Sequence, residues 1–179
     1  MTKTDNYIET YTGKKFYILD PQPEDISIID IAHALSMMCR FNGHSKYFYS
    51  VAEHSILVSD FSSPENQLWG LLHDASEAYL ADIPSPIKPL LVNYKDLEKK
   101  VMAVICDKFN LPLNQPDEVS VVDVMILRVE THELMSSKGS LWEINNKITT
   151  PLLPAFIKCY TPEQAKYLFL EKFSLLTGL

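Results

Sequence analysis

The sequence predicts an all-α fold, a bundle of about six helices with a short N-terminal β-ribbon. Three observations predict it. The eleven prolines leave long proline-free windows at 24–63, 65–83, 90–111, 117–150 and 163–179. A proline in a helix interior costs about 3 kcal/mol, so these windows are where helices can run. Inside them apolar residues recur with a 3.6-residue period, and helix-start signals stand at their edges.

The elements follow in order. Lys14-Lys15-Phe16-Tyr17-Ile18-Leu19 is the best strand signal and pairs with 7–12 as a ribbon. Ser27 and Asp30 open a helix whose periodic apolar face is Ile28, Ile31, Ala32, Leu35 and Met38, and Gly43 marks the break after it. Ser50-Val51-Ala52-Glu53 reads as a capping box, with a helix running through Ile56, Leu57 and Phe61. Ser63-Pro64 reads as a cap followed by proline at the first helical position, opening a helix through Leu68, Leu71, Leu72, Ala75 and Ala78. Gly70 sits inside that helix at a cost of about 1 kcal/mol relative to alanine, which implies a close neighbour. Asn93 caps a helix carrying Leu97, Val101, Val104, Ile105 and Phe109. An apolar stretch at 117–137 ends near Gly139. Thr161-Pro162-Glu163-Gln164 combines a capping box with a helix-starting proline, and the last helix carries Ala165, Leu168, Phe169, Phe173 and Leu176. No repeat or low-complexity linker interrupts the chain.

At 179 residues the chain is the size of one domain. The formal net charge is −7, from 23 acidic and 16 basic residues. That balance argues against polymeric nucleic acid or an anionic membrane as partner, but not against a small anionic ligand met by a local cluster of cations. Only two of the cations are arginines, Arg40 and Arg128. Cys39, Cys106 and Cys159 are widely spaced and form no CxxC pair, so neither a disulfide framework nor a zinc ribbon is indicated. Met1-Thr2-Lys3-Thr4-Asp5 has no apolar signal-peptide core, and no apolar run is long enough to span a bilayer. A cytoplasmic setting is expected.

One constellation suggests chemistry. His73-Asp74 lies in the helical stretch, with Glu77 one turn on from His73. An imidazole beside a carboxylate suits Zn, Mn, Co or Fe better than Mg. Of the five histidines, His54 follows directly on a capping box, and its ring belongs either to a site or to the core. Asp123 stands in the apolar run Val119-Ser120-Val121-Val122-Asp123-Val124-Met125-Ile126-Leu127. A buried carboxylate needs a partner, and a metal, Arg128 or a helix N-terminus would each serve.

His54, His73-Asp74 and Asp123 on separate helices resemble the metal set of the HD-domain phosphohydrolases. Four blocks tighten the match: Cys39-Arg40-Phe41-Asn42-Gly43-His44, Tyr49-Ser50-Val51-Ala52-Glu53-His54-Ser55, Leu71-Leu72-His73-Asp74-Ala75-Ser76-Glu77 and Ala81-Asp82-Ile83-Pro84-Ser85-Pro86-Ile87-Lys88. They look like the branch that holds bacterial 5′-deoxynucleotidases and phage dATP triphosphohydrolases. Tyr11-Thr12-Gly13-Lys14, Pro23-Glu24-Asp25-Ile26 and Asp30-Ile31-Ala32-His33-Ala34-Leu35-Ser36 look closer to the triphosphohydrolases. The resemblance covers roughly residues 8–135, and no motif is recognised beyond 140.

The resemblance implies a single HD-type domain over 1–179, with its motif-bearing core at about 24–135. It implies that His54, His73, Asp74 and Asp123 hold one Zn, Co or Mn ion, with a further Mg or Mn accompanying the substrate phosphates. Glu77 and Asp82 match the catalytic acids, Arg40 the arginine that holds phosphate, and Lys88 a lysine near the phosphates. His44 lies in a matching block and is a candidate phosphate contact. The implied reaction converts dATP and water to deoxyadenosine and triphosphate. A 5′-deoxynucleotidase acting on dNMPs and a non-catalytic nucleotide-sensing metal module are the alternatives. The ligand would be a small deoxynucleotide, and assembly as a homo-oligomer is expected. Aromatic rings at Phe41 and Tyr47–Tyr49 are candidates to stack on its base or to belong to the core.

Overall fold

The computed structural model describes residues 6–178; Met1–Asp5, read above for a leader, lie outside the described residues. The chain is mostly helical with one small ribbon, as the proline spacing and periodicity predict. In the ribbon, β1 (Ile8–Glu9) pairs antiparallel with β2 (Lys15–Phe16), placing Ile8 opposite Phe16. Its turn is tied down by Asp30, whose carboxylate accepts from Thr12 N at 2.7 Å and Thr12 Oγ1 at 2.8 Å. Phe16 is buried and stacks on Tyr79, with ring centroids 4.0 Å apart.

Helix α1 (Ile28–Met37) begins after Ser27, and α2 (Val51–Phe61) after Ser50, whose hydroxyl accepts from Glu53 N. The reciprocal half of that expected capping box does not form. The Glu53 carboxylate instead accepts the backbone N–H groups of Lys158, Cys159 and Tyr160, at 2.7, 3.0 and 2.8 Å. Three converging amides are a better counterpart for a buried anion than one solvated cap. They dock the strap leading into α8 (Pro162–Thr177), which has the full capping box at Thr161 and Gln164.

The helix expected from Ser63 through Ala78 is broken. Ser63 is not a side-chain cap; its N–H and hydroxyl both bond to Glu118. Helix α3 (Gln67–Leu72) follows, then a tight turn at 73–76, then α4 (Glu77–Leu80). Three-residue hydrogen bonds, Ala75 N to Leu72 O at 3.0 Å and Glu77 N to Asp74 O at 2.9 Å, replace the α-helical ladder there. His73 and Glu77 are therefore not stacked one regular turn apart. Helix α5 (Tyr94–Phe109) ends at Asn110, in the left-handed region with φ +54°. Helix α6 (Asp117–Leu134) stops three residues short of the expected limit, and a short α7 (Glu143–Lys147), not foreseen, follows.

Helix α2 is the hub, packed against α1, α3, α6 and α8. Small residues make this possible. Ser55, Ser59 and Ser62 are buried, with hydroxyls donating to the Val51, Gln67 and Val58 carbonyls. The apolar core lies between α1, α2, α3, α5 and α8 around Ile31, Leu35, Leu71, Ile105 and Phe169. A smaller cluster joins Val58 and Trp69 to Val119 and Ile126 of α6. Among the described residues no helix is long and apolar enough to cross a membrane.

The close neighbour implied by Gly70 is α2 itself: a Cβ would meet Ser59 Cα at 3.0 Å and Ser62 Oγ at 3.1 Å. Gly70→Ala should therefore destabilise the fold by about 1–2 kcal/mol, because overpacking outweighs the gain in helix propensity. Urea unfolding measures this, and increased stability would contradict the packing.

Candidate metal centre and cleft

Three elements deliver the cluster. Helix α2 supplies His54, the end of α3 and the tight turn supply His73 and Asp74, and α6 supplies Asp123. Ligand atoms of His54, His73 and Asp123 lie within 4.8 Å of one another. His54 Nε2 is 3.2 Å from His73 Nε2, 3.2 Å from Asp123 Oδ1 and 3.6 Å from Asp74 Oδ2. Asp74 Oδ2 is also 3.2 Å from His73 Nε2.

The far side of each ring is fixed. His73 Nδ1 donates to the Gly70 carbonyl at 2.7 Å, and His54 Nδ1 donates to Glu130 Oε1 at 2.6 Å. Both Nε2 atoms therefore face the carboxylates. Orienting the imidazoles through the opposite nitrogen is how metal-binding histidines are held. Two imidazole nitrogens with two carboxylate oxygens form a donor set that fits a divalent transition ion.

Glu130 was not foreseen. It lies seven residues after Asp123, two turns along the same face of α6, so the spacing could have pointed to it. Its fully buried carboxylate also accepts from Tyr49 OH at 2.8 Å and Arg40 Nη2 at 3.1 Å. A short return holds those two donors together: Arg40 N donates to Tyr49 O, and Val51 N to Met38 O. Burial alone would raise the Glu130 carboxyl, but Arg40 and then His54 hold it down at about 2.

Electrostatics sort the other groups. Burial and Arg40 push His54 down, yet Glu130 and the hydrogen bonds to Asp123 and Glu130 bring it to about 9. Without a metal, its Nε2 proton sits where the cation would. Asp74 is held well below the carboxylate range against its burial, chiefly by His73. Asp123 is lowered against its burial by His54. Glu77 goes the other way: burial, then the Asp74 and Asp82 carboxylates, push it up to about 9. Its Oε2 is buried without a partner. Burial also raises Asp82.

The cluster opens on a cleft of about 500 Å³ whose walls include Arg40, His44, Asp74, Glu77, Asp82, Lys88 and Asp123. Every sequence-predicted residue except the buried His54 and His73 thus lines one cavity. Asp82 follows Ala81, which adopts φ +71° and ψ 154°, a region costly for any residue but glycine. Lys88 Nζ lies 2.8 Å from Glu98 Oε1 and 3.6 Å from Glu77 Oε1. Arg40 is not a free fork: besides Glu130 it lies 3.6 Å from Asp74. His44 is exposed at the rim. Arg128, an alternative partner for Asp123, instead donates to the Ile148 and Thr150 carbonyls. A larger cleft of about 940 Å³ on the α5 side shares His73, Asp74 and Asp123.

The chain is 40% identical over 174 residues to the uncharacterized protein YfdR of Escherichia coli, with 97% of each chain covered. It belongs to the YfdR family. An uncharacterized protein of Rhodobacter capsulatus is 35% identical over 137 residues, 69% of this chain and 70% of its own. No family model matches the sequence. Membership of the YfdR family brings no activity with it, so function rests on the chemistry of the site.

The Glu77 shift has a measurable consequence. The folded chain keeps a proton that the unfolded chain releases above its ordinary carboxylate pKa, near 4.3, so this group makes stability fall as pH rises toward about 9. Glu77→Gln removes that loss. In metal-free protein the variant should gain on wild type by at least about 1 kcal/mol between roughly pH 5 and pH 8. Chemical melts at the two pH values measure it, and a constant difference would refute the buried, proton-holding Glu77.

Proposed function

We propose that the protein is a metal-dependent deoxynucleotide phosphohydrolase that splits dATP into deoxyadenosine and triphosphate. The observation that carries this reading is Glu77, a buried acid with an unpartnered oxygen, in the same cleft as Asp74, Asp123 and the cations Arg40 and Lys88. A structural metal site has no use for such an acid, whereas hydrolysis of a phosphate ester needs a proton donor or acceptor beside the phosphate. This counts against the non-catalytic sensing module.

The geometry supports the following division of labour. A Zn, Co or Mn ion held by His54, His73, Asp74 and Asp123 would supply a Lewis acid for a phosphoryl oxygen and lower the pKa of water. Glu77, which burial and the Asp74 and Asp82 carboxylates keep protonated in the metal-free protein, would be the group that protonates the departing 5′ oxygen. Asp82, half-buried on the cleft wall, would share the proton traffic. Arg40, held flat by Glu130, presents fixed N–H donors to phosphate oxygens, and Lys88 adds a point charge. His44 at the rim reaches the outer phosphates, which would bring their own Mg or Mn. The charge of −7 is no obstacle, because the field at the phosphate is local.

One observation favours a second reading, a 5′-deoxynucleotidase on dNMPs. The two strong cations of the cleft are already shared with the carboxylates of Glu130, Asp74 and Glu98, and a monophosphate needs less countercharge than a triphosphate.

A screen of dNTPs, dNMPs and their ribose forms with Zn, Mn or Co and product identification tests both. Triphosphate from dATP supports the first reading, free phosphate from dNMPs the second, and no product from either refutes the enzyme. Glu77→Ala should keep the metal and lower kcat by about 10²–10⁴. Asp74→Ala should lose metal and turnover together, and full metal retention would undo its assignment as a ligand.

A further inference from the structure

The segment after α6 builds one wall of the cleft. Trp142, just before α7, lines it together with Phe41, Leu127, Met135, Pro84 and Pro86. The Trp142 and Phe41 rings meet edge to face, with centroids 5.8 Å apart at 85°. Neither ring belongs to the apolar clusters of the core. Of the aromatic rings that the sequence offered for base stacking, Tyr49 is buried against Glu130, and Phe41 lines the cleft.

The wall is held firmly. Asn145 Nδ2 donates to Thr131 Oγ1 of α6 and to the Gly139 carbonyl, both at 3.0 Å. Trp142 N donates to Gly139 O at 3.0 Å, and Arg128 clasps the downstream carbonyls of Ile148 and Thr150. Gly139 has φ +80°, and a Cβ there would strike the Asn145 amide. The half-buried indole thus lines the cleft outside both apolar clusters, and it leaves apolar surface there that a ligand can cover.

The cleft lining carries two kinds of surface: the charged groups Arg40, Lys88 and the acids, and an uncharged aromatic and apolar set of Trp142, Phe41 and the prolines. The two meet where the Arg40 guanidinium lies over the Phe41 ring, 5.5 Å from its centroid. A ligand matching both surfaces carries an anionic end and a planar uncharged end. We infer that Trp142 is a specificity-determining residue that packs its indole against the base of a nucleotide whose phosphate lies at Arg40. This rests on the nucleotide reading above and extends it to a residue outside the recognised motifs.

The chain has two tryptophans, and Trp69 is buried with Nε1 bonded to Pro112 O. Emission from a Zn-loaded Trp69→Phe, Glu77→Ala protein therefore reports Trp142 while nucleotide is bound and not consumed. Saturating dAMP should change that emission, and 2-deoxyribose 5-phosphate, which lacks a base, should not. By calorimetry on Zn-loaded protein, Trp142→Ala should weaken dAMP binding about tenfold or more. It should weaken the sugar phosphate less than about threefold, and Trp142→Phe should restore most of the loss. Equal weakening of both ligands, or dAMP binding with unchanged emission, overturns this role and leaves the nucleotide reading standing. Failure of the Zn-loaded wild-type protein to bind any deoxynucleotide overturns the nucleotide reading, and this role with it.

Discussion

The carboxylate of Glu130 is fully buried and ionised, and three donors converge to make that tolerable. His54 comes from α2, and Tyr49 and Arg40 come from the return that leads into it. Removing a partner from a buried charge costs several kcal/mol, so these contacts fix α6 against α2 in one register. Asp123, two turns earlier on α6, is thereby set 3.2 Å from His54 Nε2. The same carboxylate turns the His54 ring and holds Arg40 at the cleft wall. The packing of α6 on α2, the candidate metal cluster and the Arg40 side chain share this one anchor.

Around it, similar groups are driven apart. Asp74 and Asp123 are held ionised, as ligands require, while Glu77 in the same cleft keeps its proton. Separating acids in this way would let one site divide the proposed ligand and proton-donor roles among chemically similar groups. His54 answers the same field by taking a proton when no metal is bound, so metal binding and release of that proton are linked.

Much of this was legible in the sequence, through local signals. Proline windows and periodicity located the long helices, and the box at Thr161 formed as written. Gly70 announced the approach of α2. The candidate metal ligands stood out because Asp123 is a carboxylate in an apolar run and because His54, His73-Asp74 and Asp123 together resemble a known ligand set; the His-Asp pair alone says little. What escaped depended on tertiary contacts. Glu53 satisfies the capping pattern, but three amides some hundred residues away outcompete the cap. The break at 73–76 is hidden by an apolar period that runs on from Leu68 to Ala78 across it, although His73, Asp74 and Ser76 are themselves poor helix formers. Trp142 carries no motif, and its place at the cleft follows from a glycine turn and an asparagine knot. Glu130 could have been found from its spacing to Asp123, but nothing local shows that it is buried.

The most direct test is zinc affinity in Glu130→Gln, a shape-conserving change that removes the charge. Glu130→Gln should fold and bind zinc about tenfold to a hundredfold more weakly than wild type, because His54 loses the charged acceptor that orients it. Wild-type zinc affinity in folded Glu130→Gln protein would contradict it.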